Sequence, residues 1–515
     1  MTLGSAGWTA CATGVAYMAD LFEIGEGCLN IEDAVRVARE GAEVRLAAGA
    51  RERIAQGRWR LDEMLARGDR IYGVNTGVGG NVGISLPAEK MELLQLNLVR
   101  QLGCATGQPL PNDVVRAAML LRLATFTTGA SAVRVELAEA LAALLNRHIT
   151  PVVPRYGSVG ASGDLMPSAY IARVLMGAGE AEYDGRRMAA ADALEAAGLR
   201  PVRFAPKEGL ALINGTTVMT ACAALLWVDA RRVLEALLAA AALAIEAMEA
   251  SAQPFDAWVQ EQKGHPGQIA VAAYLREMLD GSGYTRASSG QNCYSLRCIP
   301  QGLGQVWEGN QDGRAVIERE INSANDNPLI DPETGALHKA GNFYGGHMAR
   351  LLDMWKIDFA AMANWGNALM AVVVDDRFNN GLPANLTPEP GVNSGFKGMQ
   401  LSITSLACAV RQMAGPSSIH SLPTEQYNQD VVSLGMHAAV TAMDALECVR
   451  NETAMLLLAV AQAVDLRGGE AKLGRGARRV YQGVRRLAEF QSVDRPMEYE
   501  VAAVAALIVS GGLAG

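Results

Sequence analysis

The chain has 515 residues, of which half are apolar and only 5% aromatic, and its formal net charge is −9. That length allows one large domain or two to three smaller ones around a sizeable core, and a composition rich in Ala and Leu favours helices over sheets. The charges are scattered without a basic stripe, so nucleic acid is not expected as a partner.

Helical periodicity dominates the first 150 residues, with one interruption. An amphipathic helix is predicted over about 30–70, beginning with the acidic turn Ile31-Glu32-Asp33. The segment Ile71–Gly83 then contains 5 glycines without the G-x-G-x-x-G spacing of a dinucleotide site. It is typical of a loop that is mobile or lies close to a ligand. Further helices are predicted over 89–106, 113–128 and 131–147, before Pro151 and Pro154 end the run.

The second half of the chain favours longer helices. They are predicted over 216–252, 345–373, 396–413 and 431–464, with a loop at 422–429 before the last. The most membrane-like run, Ala236–Ile245, has 10 residues, whereas about 20 are needed to span a bilayer, so it predicts a core helix. Four or five such helices suit an all-α parallel bundle with active-site loops at the helix ends. The predicted domains are 1–210, helical with loops, and 211–515, the long-helix core.

Metal-binding and redox patterns are not found. The 8 cysteines form no Cys-x-x-Cys pair and the 6 histidines form no His-Glu-x-x-His. We therefore expect no metal, and reduced thiols in a cytoplasmic protein. Residues 1–18 lack the basic stretch of a signal peptide. No membrane partner is expected.

The tripeptide Ala161-Ser162-Gly163 can be converted into an electrophile. Gly163 has no Cβ, so its amide nitrogen can approach the carbonyl carbon of Ala161 in a strained conformation. Cyclisation with loss of water, followed by loss of the Ser162 hydroxyl, would give a methylidene-imidazolone, a Michael acceptor that no ordinary side chain supplies. The tripeptide alone is ordinary loop composition. Its flanks, Gly157-Ser158-Val159-Gly160 and Asp164-Leu165, complete a signature that resembles the histidine, phenylalanine and tyrosine ammonia-lyases and the related 2,3-aminomutases.

The resemblance runs from about Leu21 to about Ala463 and implies a long-helix bundle of the fumarase/aspartase type. Tyr72-Gly73 with Asn75-Thr76-Gly77 resembles the inner lid loop of the family, whose tyrosine removes the β-proton of the substrate. A sequestered phenolate with a lowered pKa would suit that step. Gly79 of the same loop is assigned to substrate binding. Leu212–Thr216 resembles the segment in which an asparagine, here Asn214, contacts the electrophile and the substrate carboxylate; a helix N-cap is the plainer interpretation.

Three further segments match the family. In Gln291–Arg297, the resemblance implies that Arg297 clamps the α-carboxylate, that Tyr294 polarises the site and that Gln291 supports it. Gly341-Asn342-Phe343 resembles the segment that places Phe343 beside the electrophile, with an ordinary core aromatic as the alternative. Glu425–Asp430 resembles the far wall of the pocket, where Glu425 and Gln429 would lie near the amino group.

Two positions bear on the substrate. Glu425 with Gln429 is closer to phenylalanine-type lyases and aminomutases than to histidine-type enzymes, which usually carry a second glutamate. The dipeptide that reads the ring is expected at Arg100-Gln101, which matches none of the Ser-His, His-apolar or Phe-Leu pairs of the family. Either Arg100 turns away, or the ring carries a polar acceptor, because an unpartnered buried guanidinium is costly. Val78 replaces the usual phenylalanine of the lid.

The resemblance implies an ammonia-lyase that converts an aromatic L-amino acid into a trans-arylacrylate. Tyrosine- or phenylalanine-like substrates are favoured over histidine. The methylidene-imidazolone formed from residues 161–163 would be the prosthetic group, with no metal or external cofactor. The alternatives are a 2,3-aminomutase that returns ammonia to the β-carbon, a histidine ammonia-lyase, and a silent helical scaffold. The resemblance also implies a homotetramer with shared active sites.

Overall fold

The computed structural model describes residues 21–286 and 291–513. Residues 1–18, in which no signal peptide is expected, lie outside them. Helices account for most of the fold, and the helices are α1 Ile31–Val35, α2 Ala48–Arg67, α3 Met91–Gln101, α4 Asn112–Thr127, α5 Val135–Asn146, α6 Leu165–Leu175, α7 Ala190–Ala196, α8 Glu208–Ile213, α9 Thr217–Ala247, α10 Ala257–Glu261, α11 Pro266–Met278, α12 Tyr294–Arg297, α13 Ile299–Ile321, α14 Gly346–Val374, α15 Lys397–Met413, α16 Gly435–Arg467, α17 Arg475–Arg485 and α18 Glu498–Ser510.

Short strands of two to four residues connect some of these helices. They are β1 Leu21–Ile24, β2 Glu43–Leu46, β3 Thr106–Pro109, β4 Thr150–Pro151, β5 Pro154–Tyr156, β6 Glu180–Tyr183, β7 Arg186–Ala189, β8 Leu329–Ile330 and β9 Leu337–His338. β1 pairs in parallel with β2, and the antiparallel ribbons are β3–β5, β4–β6–β7 and β8–β9. The prediction of an all-α, long-helix fold is confirmed.

Three long helices run side by side in the same direction. At one end, a Cβ built on Gly345 or on Gly435 would lie 2.3 or 2.4 Å from the Met219 sulfur, so α14 and α16 begin beside the first turn of α9. At the other end, Arg467 Nε donates to the Ala247 carbonyl at 2.7 Å, which joins the last turns of α16 and α9. The parallel bundle is therefore aligned at both ends. Ala236–Ile245 is buried within α9 and is a core helix as predicted.

α13 runs against this direction and packs closely. Its residue Gly304 meets Gly267 of α11 so tightly that a Cβ on Gly267 would lie 2.0 Å from the Gly304 oxygen. A Cβ on Gly302 or Gly313 would collide with Trp365 or Trp355 of α14. The glycines thus permit close helix contacts on two sides. They also dilute the apolar repeat, which explains why this 23-residue helix was not predicted.

Two predicted boundaries were wrong for local reasons. The helix expected over 30–70 is broken after a π-turn at Arg36–Glu40, where Gly41 has a φ of 76° and the chain continues into β2. The helix expected to reach residue 106 ends at Gln101, because the following residues lead into β3. The division near residue 210 stays a prediction; one hydrophobic core contains residues from both sides of it.

α14 is the one helix of the described chain that is long and apolar enough to cross a membrane by length and composition. It packs against α13, α15 and α16 within the bundle, and a helix at the core of a bundle passes the same test.

Candidate active site

The loop with Ala161-Ser162-Gly163 is held in a tight turn beside the start of α9. Ser162 and Gly163 have φ values of 53° and 75°, and the Gly163 N–H donates to the Gly160 carbonyl at 3.3 Å. The Gly215 N–H donates to the Ser162 carbonyl at 3.2 Å. A Cβ on Gly163 would lie 2.1 Å from the Gly215 oxygen, so only glycine fits there.

Asp164 locks this turn to two helices. Asp164 directly precedes α6. Its buried carboxylate accepts from the backbone N–H groups of Val218 and Met219, in the first turn of α9, at 2.8 and 2.9 Å. The Asp164 N–H donates to the Gly215 carbonyl at 2.7 Å. Burial raises the pKa of Asp164 to about 7, and the two N–H donors oppose that rise. The sequence analysis assigned no role to Asp164, although its place before a helix is a capping signal.

A cavity of about 450 Å³ opens on this turn. Eight of the residues proposed from sequence line it: Tyr72, Gly79, Gln101, Ala161, Ser162, Asn214, and, from the far wall, Glu425 and Gln429. Asn214 is buried, and its Oδ1 has no hydrogen-bond partner within the described residues. A buried amide oxygen without a partner marks a place where a ligand can donate a hydrogen bond.

Phe343 lies on a second, adjoining cavity of about 370 Å³ that shares Tyr72, Ala161, Ser162 and Gln429 with the first. The two cavities therefore lie on either side of the Ala161-Ser162-Gly163 turn. The starts of α9, α14 and α16 converge on the same place, so their N-terminal dipoles favour negative charge there.

Tyr72 is held by the lid loop itself. The Gly79 N–H donates to its phenolic oxygen at 2.9 Å. Burial raises the pKa of Tyr72 above its ordinary value, the nearby Glu425 carboxylate raises it further, and the Gly79 hydrogen bond opposes both. The sequence resemblance predicts a lowered pKa for Tyr72. In the structure of a single chain the pKa of Tyr72 is raised, because desolvation and a like charge disfavour the phenolate.

The lid loop is packed on the far wall. A Cβ on Gly79, which has a φ of 54°, would overlap the Glu425 carboxylate, and the Gly80 N–H donates to Glu425 Oε1 at 3.3 Å. Val78 lines the cavity beside them. The glycines of the lid thus serve a close approach to Glu425.

The residues at the ring end differ from the expected pair. Gln101, Leu98 and Leu102 line the cavity, whereas Arg100 is exposed and is not part of its wall. Of the two alternatives left open by the sequence, the structure has the one in which Arg100 turns away. Consecutive residues of a helix point about 100° apart, so Gln101 and Leu102, and not Arg100, lie on the cavity wall.

Three proposed residues lie far from the electrophile of their own chain. Tyr294 and Arg297 are the first and last residues of α12, in which the Ser295 carbonyl accepts from Trp365 Nε1 at 3.0 Å. Asn292, next to Gln291, accepts from the Ser251 N–H, just beyond the end of α9. The 31 residues of α9 span about 45 Å. None of Gln291, Tyr294 and Arg297 lines either cavity.

In this distant group Gln291 and Tyr294 are exposed, whereas Arg297 is half-buried. Tyr294 is 70% accessible, and the Arg297 guanidinium lies 4.7 Å above its ring. Arg297 Nε has no acceptor within residues 21–286 and 291–513. The described residues contain no group of three or more His, Cys, Asp or Glu side chains that could hold a metal ion.

Comparisons with known proteins agree on one family. The sequence profile described as aromatic amino acid lyase matches residues 29–486. A histidine ammonia-lyase of Deinococcus radiodurans is 39% identical over 94% of this chain and 93% of its own. Among solved structures, a tyrosine aminomutase of Streptomyces globisporus has a TM-score of 0.91 and 34% identity, covering 96% of this chain and 97% of its own. A phenylalanine aminomutase of Pantoea agglomerans has a TM-score of 0.91 and 32% identity, covering 95% and 99%.

Proposed function

Since the chain belongs to the aromatic amino acid lyase family of ammonia-lyases and aminomutases, we propose that it eliminates ammonia from an aromatic L-amino acid. The product is a trans-arylacrylate, and tyrosine- or phenylalanine-like substrates are favoured over histidine. The observation that carries this proposal is the cavity in which Tyr72, Asn214 and the Ala161-Ser162-Gly163 turn face one another.

The turn fits the methylidene-imidazolone of the family. The positive φ values of Ser162 and Gly163 and the space for glycine alone beside Gly215 are what a cyclising tripeptide requires. The group would supply an electron sink that activates the substrate amine for departure. The converging helix starts stabilise the negative charge that accumulates at this point.

Tyr72 is the base that takes the β-proton at its phenolic oxygen. The Gly79 N–H fixes that oxygen within the lid loop. The buried Asn214 amide is available to hold the substrate beside the turn. Glu425 and Gln429 line the wall next to the lid and are assigned to the amino group.

Arg297, Tyr294 and Gln291 must come from another copy of the chain. In their own chain they lie near the far end of α9, a helix about 45 Å long whose start lies beside the electrophile turn, so a carboxylate clamp requires that a neighbour's α12 reach this cavity. This requires an oligomer with shared active sites, and the family resemblance implies that it is a homotetramer. A cytoplasmic location is part of the same proposal.

The ring end favours a polar aromatic ring. Gln101 offers an amide to a phenolic hydroxyl, while Leu98 and Leu102 offer apolar contact. No histidine lines either cavity in the part of the chain that the structure describes. Histidine as substrate keeps support from the 39% identity to a histidine ammonia-lyase.

An aminomutase is the second candidate, and the packing of the lid favours it. The contacts of Gly79 and Gly80 with Glu425 would retain the arylacrylate until ammonia returns to the β-carbon. A mobile lid would release it.

Product chromatography separates the candidates. Purified protein is incubated with histidine, phenylalanine, tyrosine and dopa, with the Ser162→Ala variant as control. An arylacrylate from tyrosine or phenylalanine, with equal ammonia, is the expected result. A β-amino acid would make the protein an aminomutase, urocanate would make it a histidine lyase, and no product from any of the four would overturn the proposal.

A further inference from the structure

A cavity of about 510 Å³ lies behind the electrophile loop and is separate from the two catalytic cavities. It is enclosed by the first halves of α9 and α16, the start of α4, and strand β5. Its volume exceeds that of the cavity that holds Tyr72. β5 ends at Tyr156, immediately before Gly157 of the electrophile signature.

The cavity carries equal numbers of both charges. Four arginines and four carboxylates line it: Arg39, Arg155, Arg232, Arg450, Asp113, Asp229, Asp444 and Glu447. Arg39 is fully engaged, because it donates to Asp113 and twice to Asp229 at 2.7–2.8 Å. Of the other five groups, Arg232 donates to the Val509 carbonyl at 2.6 Å.

Two of those five groups, Arg155 and Arg450, have a donor without an acceptor among the described residues. Arg155 donates to Asp444 at 3.0 Å, but its buried Nε has no acceptor among the described residues. The Nε of Arg450 is likewise buried and unpaired in that part of the chain, and its only carboxylate neighbour is Glu447 at 3.5 Å. The two guanidinium groups on this wall therefore keep hydrogen-bonding capacity that no acceptor among the described residues uses.

The rest of the wall is apolar. Leu225, Leu226 and Val233 of α9 face Met443 and Leu446 of α16. A ligand for this cavity therefore needs an anionic group for the guanidinium donors, a cationic group for the carboxylates, and an apolar body.

We infer that this cavity is a second binding site for an α-amino acid zwitterion with an apolar side chain. The ligand carboxylate meets Arg155 and Arg450, the ammonium meets Asp444 and Glu447, and the side chain lies against Leu226 and its neighbours. The neutral sum of the charges favours a zwitterion over a simple anion, which would leave the carboxylates facing it.

Equilibrium dialysis of the full-length Ser162→Ala protein tests this site, because that variant does not consume the ligand. Three probes show which charged groups of the ligand the site requires: L-phenylalanine has both charges, trans-cinnamate has only the carboxylate, and 2-phenylethylamine has only the ammonium. Arg450→Leu removes a donor, whereas Leu226→Trp fills the cavity and keeps every charge. Arg486→Leu, at an exposed arginine on another part of the surface, is the matched control.

L-phenylalanine should bind at a site whose affinity falls on the order of tenfold or more in Arg450→Leu and in Leu226→Trp, and is unchanged in Arg486→Leu. Binding in the catalytic cavity is common to all these proteins and does not affect the comparison. Cinnamate and phenylethylamine should each bind this site more weakly. Binding that neither cavity variant changes would overturn the inference, as would cinnamate binding as tightly as phenylalanine. Turnover plays no part in the readout, so failure here is distinct from failure of the proposed lyase activity.

Discussion

The two ends of α9 carry unequal shares of an active site. At its start, Ser162, Tyr72 and Asn214 surround one cavity and are fixed by backbone hydrogen bonds. At its far end, Tyr294 and Arg297 stack on each other at the surface and line no catalytic cavity. The residues at the start of α9 line a cavity within one chain, whereas Arg297 near the far end lines neither catalytic cavity of its own chain. Under the proposed function, each chain would contribute its electrophile to one site and its arginine to the site of another chain.

Of the changes that test this comparison, removal of the electrophile should lower turnover the most. Ser162→Ala cannot form the methylidene, so turnover should fall to background and the intact mass should show no loss of two waters. The control Ser158→Ala removes hydrogen bonds of the same loop, to Gly163 and from Gly160, and should still lose both waters. Full turnover by Ser162→Ala would contradict the assignment.

Changing the far end should weaken substrate binding without disturbing the electrophile. Arg297→Gln loses a charged, bidentate contact with the substrate carboxylate, so kcat/KM should fall on the order of 10- to 100-fold, chiefly through KM. The intact mass should keep the loss of two waters. Arg377→Gln, a charge-matched change at an arginine that pairs with Asp375 at the same end of the bundle, should leave kinetics unchanged. A failure of Arg297→Gln to dehydrate would mean that the two ends are not independent.

At the electrophile end, a substitution in the cavity wall around Gln101 should have a smaller effect. Gln101→Leu removes the amide that faces a phenolic hydroxyl and should shift preference from tyrosine towards phenylalanine by about tenfold. Arg100→Leu, one position away and outside the cavity, should leave the ranking of substrates unchanged. Competition assays with both amino acids measure the ratio. The reverse pattern would restore Arg100 as the residue that reads the ring.

The smallest expected effect is a shift in pH dependence. The Glu425 carboxylate raises the pKa of Tyr72, so Glu425→Gln should lower that pKa. Because the base must be deprotonated, the acidic limb of the kcat/KM profile should move to lower pH, by up to about one unit. A shift to higher pH would show that Glu425 does not act on Tyr72 through its charge.

Much of the fold was accessible from the sequence because its long helices are strongly apolar. α9, α14, α15 and α16 were predicted within a few residues of their observed ends. α13 was not, because its glycines serve contacts with α11 and α14 that a linear pattern does not record. The break at Gly41 depends on a positive φ that many glycines do not adopt.

The site was accessible in part, for a different reason. Motif resemblance gave most of the residues that face the cavity, but it placed the pair Arg100-Gln101 there in place of Gln101-Leu102, since a one-residue shift on a helix changes the direction of a side chain by about 100°. Nor could it show that α12 lies at the opposite end of α9, because distance in the sequence does not measure distance along a bundle.

Complementation between two defective chains tests the central claim most directly. Ser162→Ala and Arg297→Gln chains are purified separately and also co-expressed, and turnover is measured for each preparation at equal protein concentration. If each site takes its electrophile from one chain and its arginine from another, some sites of the mixed oligomer contain both intact groups, and activity should rise well above the sum of the separate variants. Activity equal to that sum would contradict a site shared between chains.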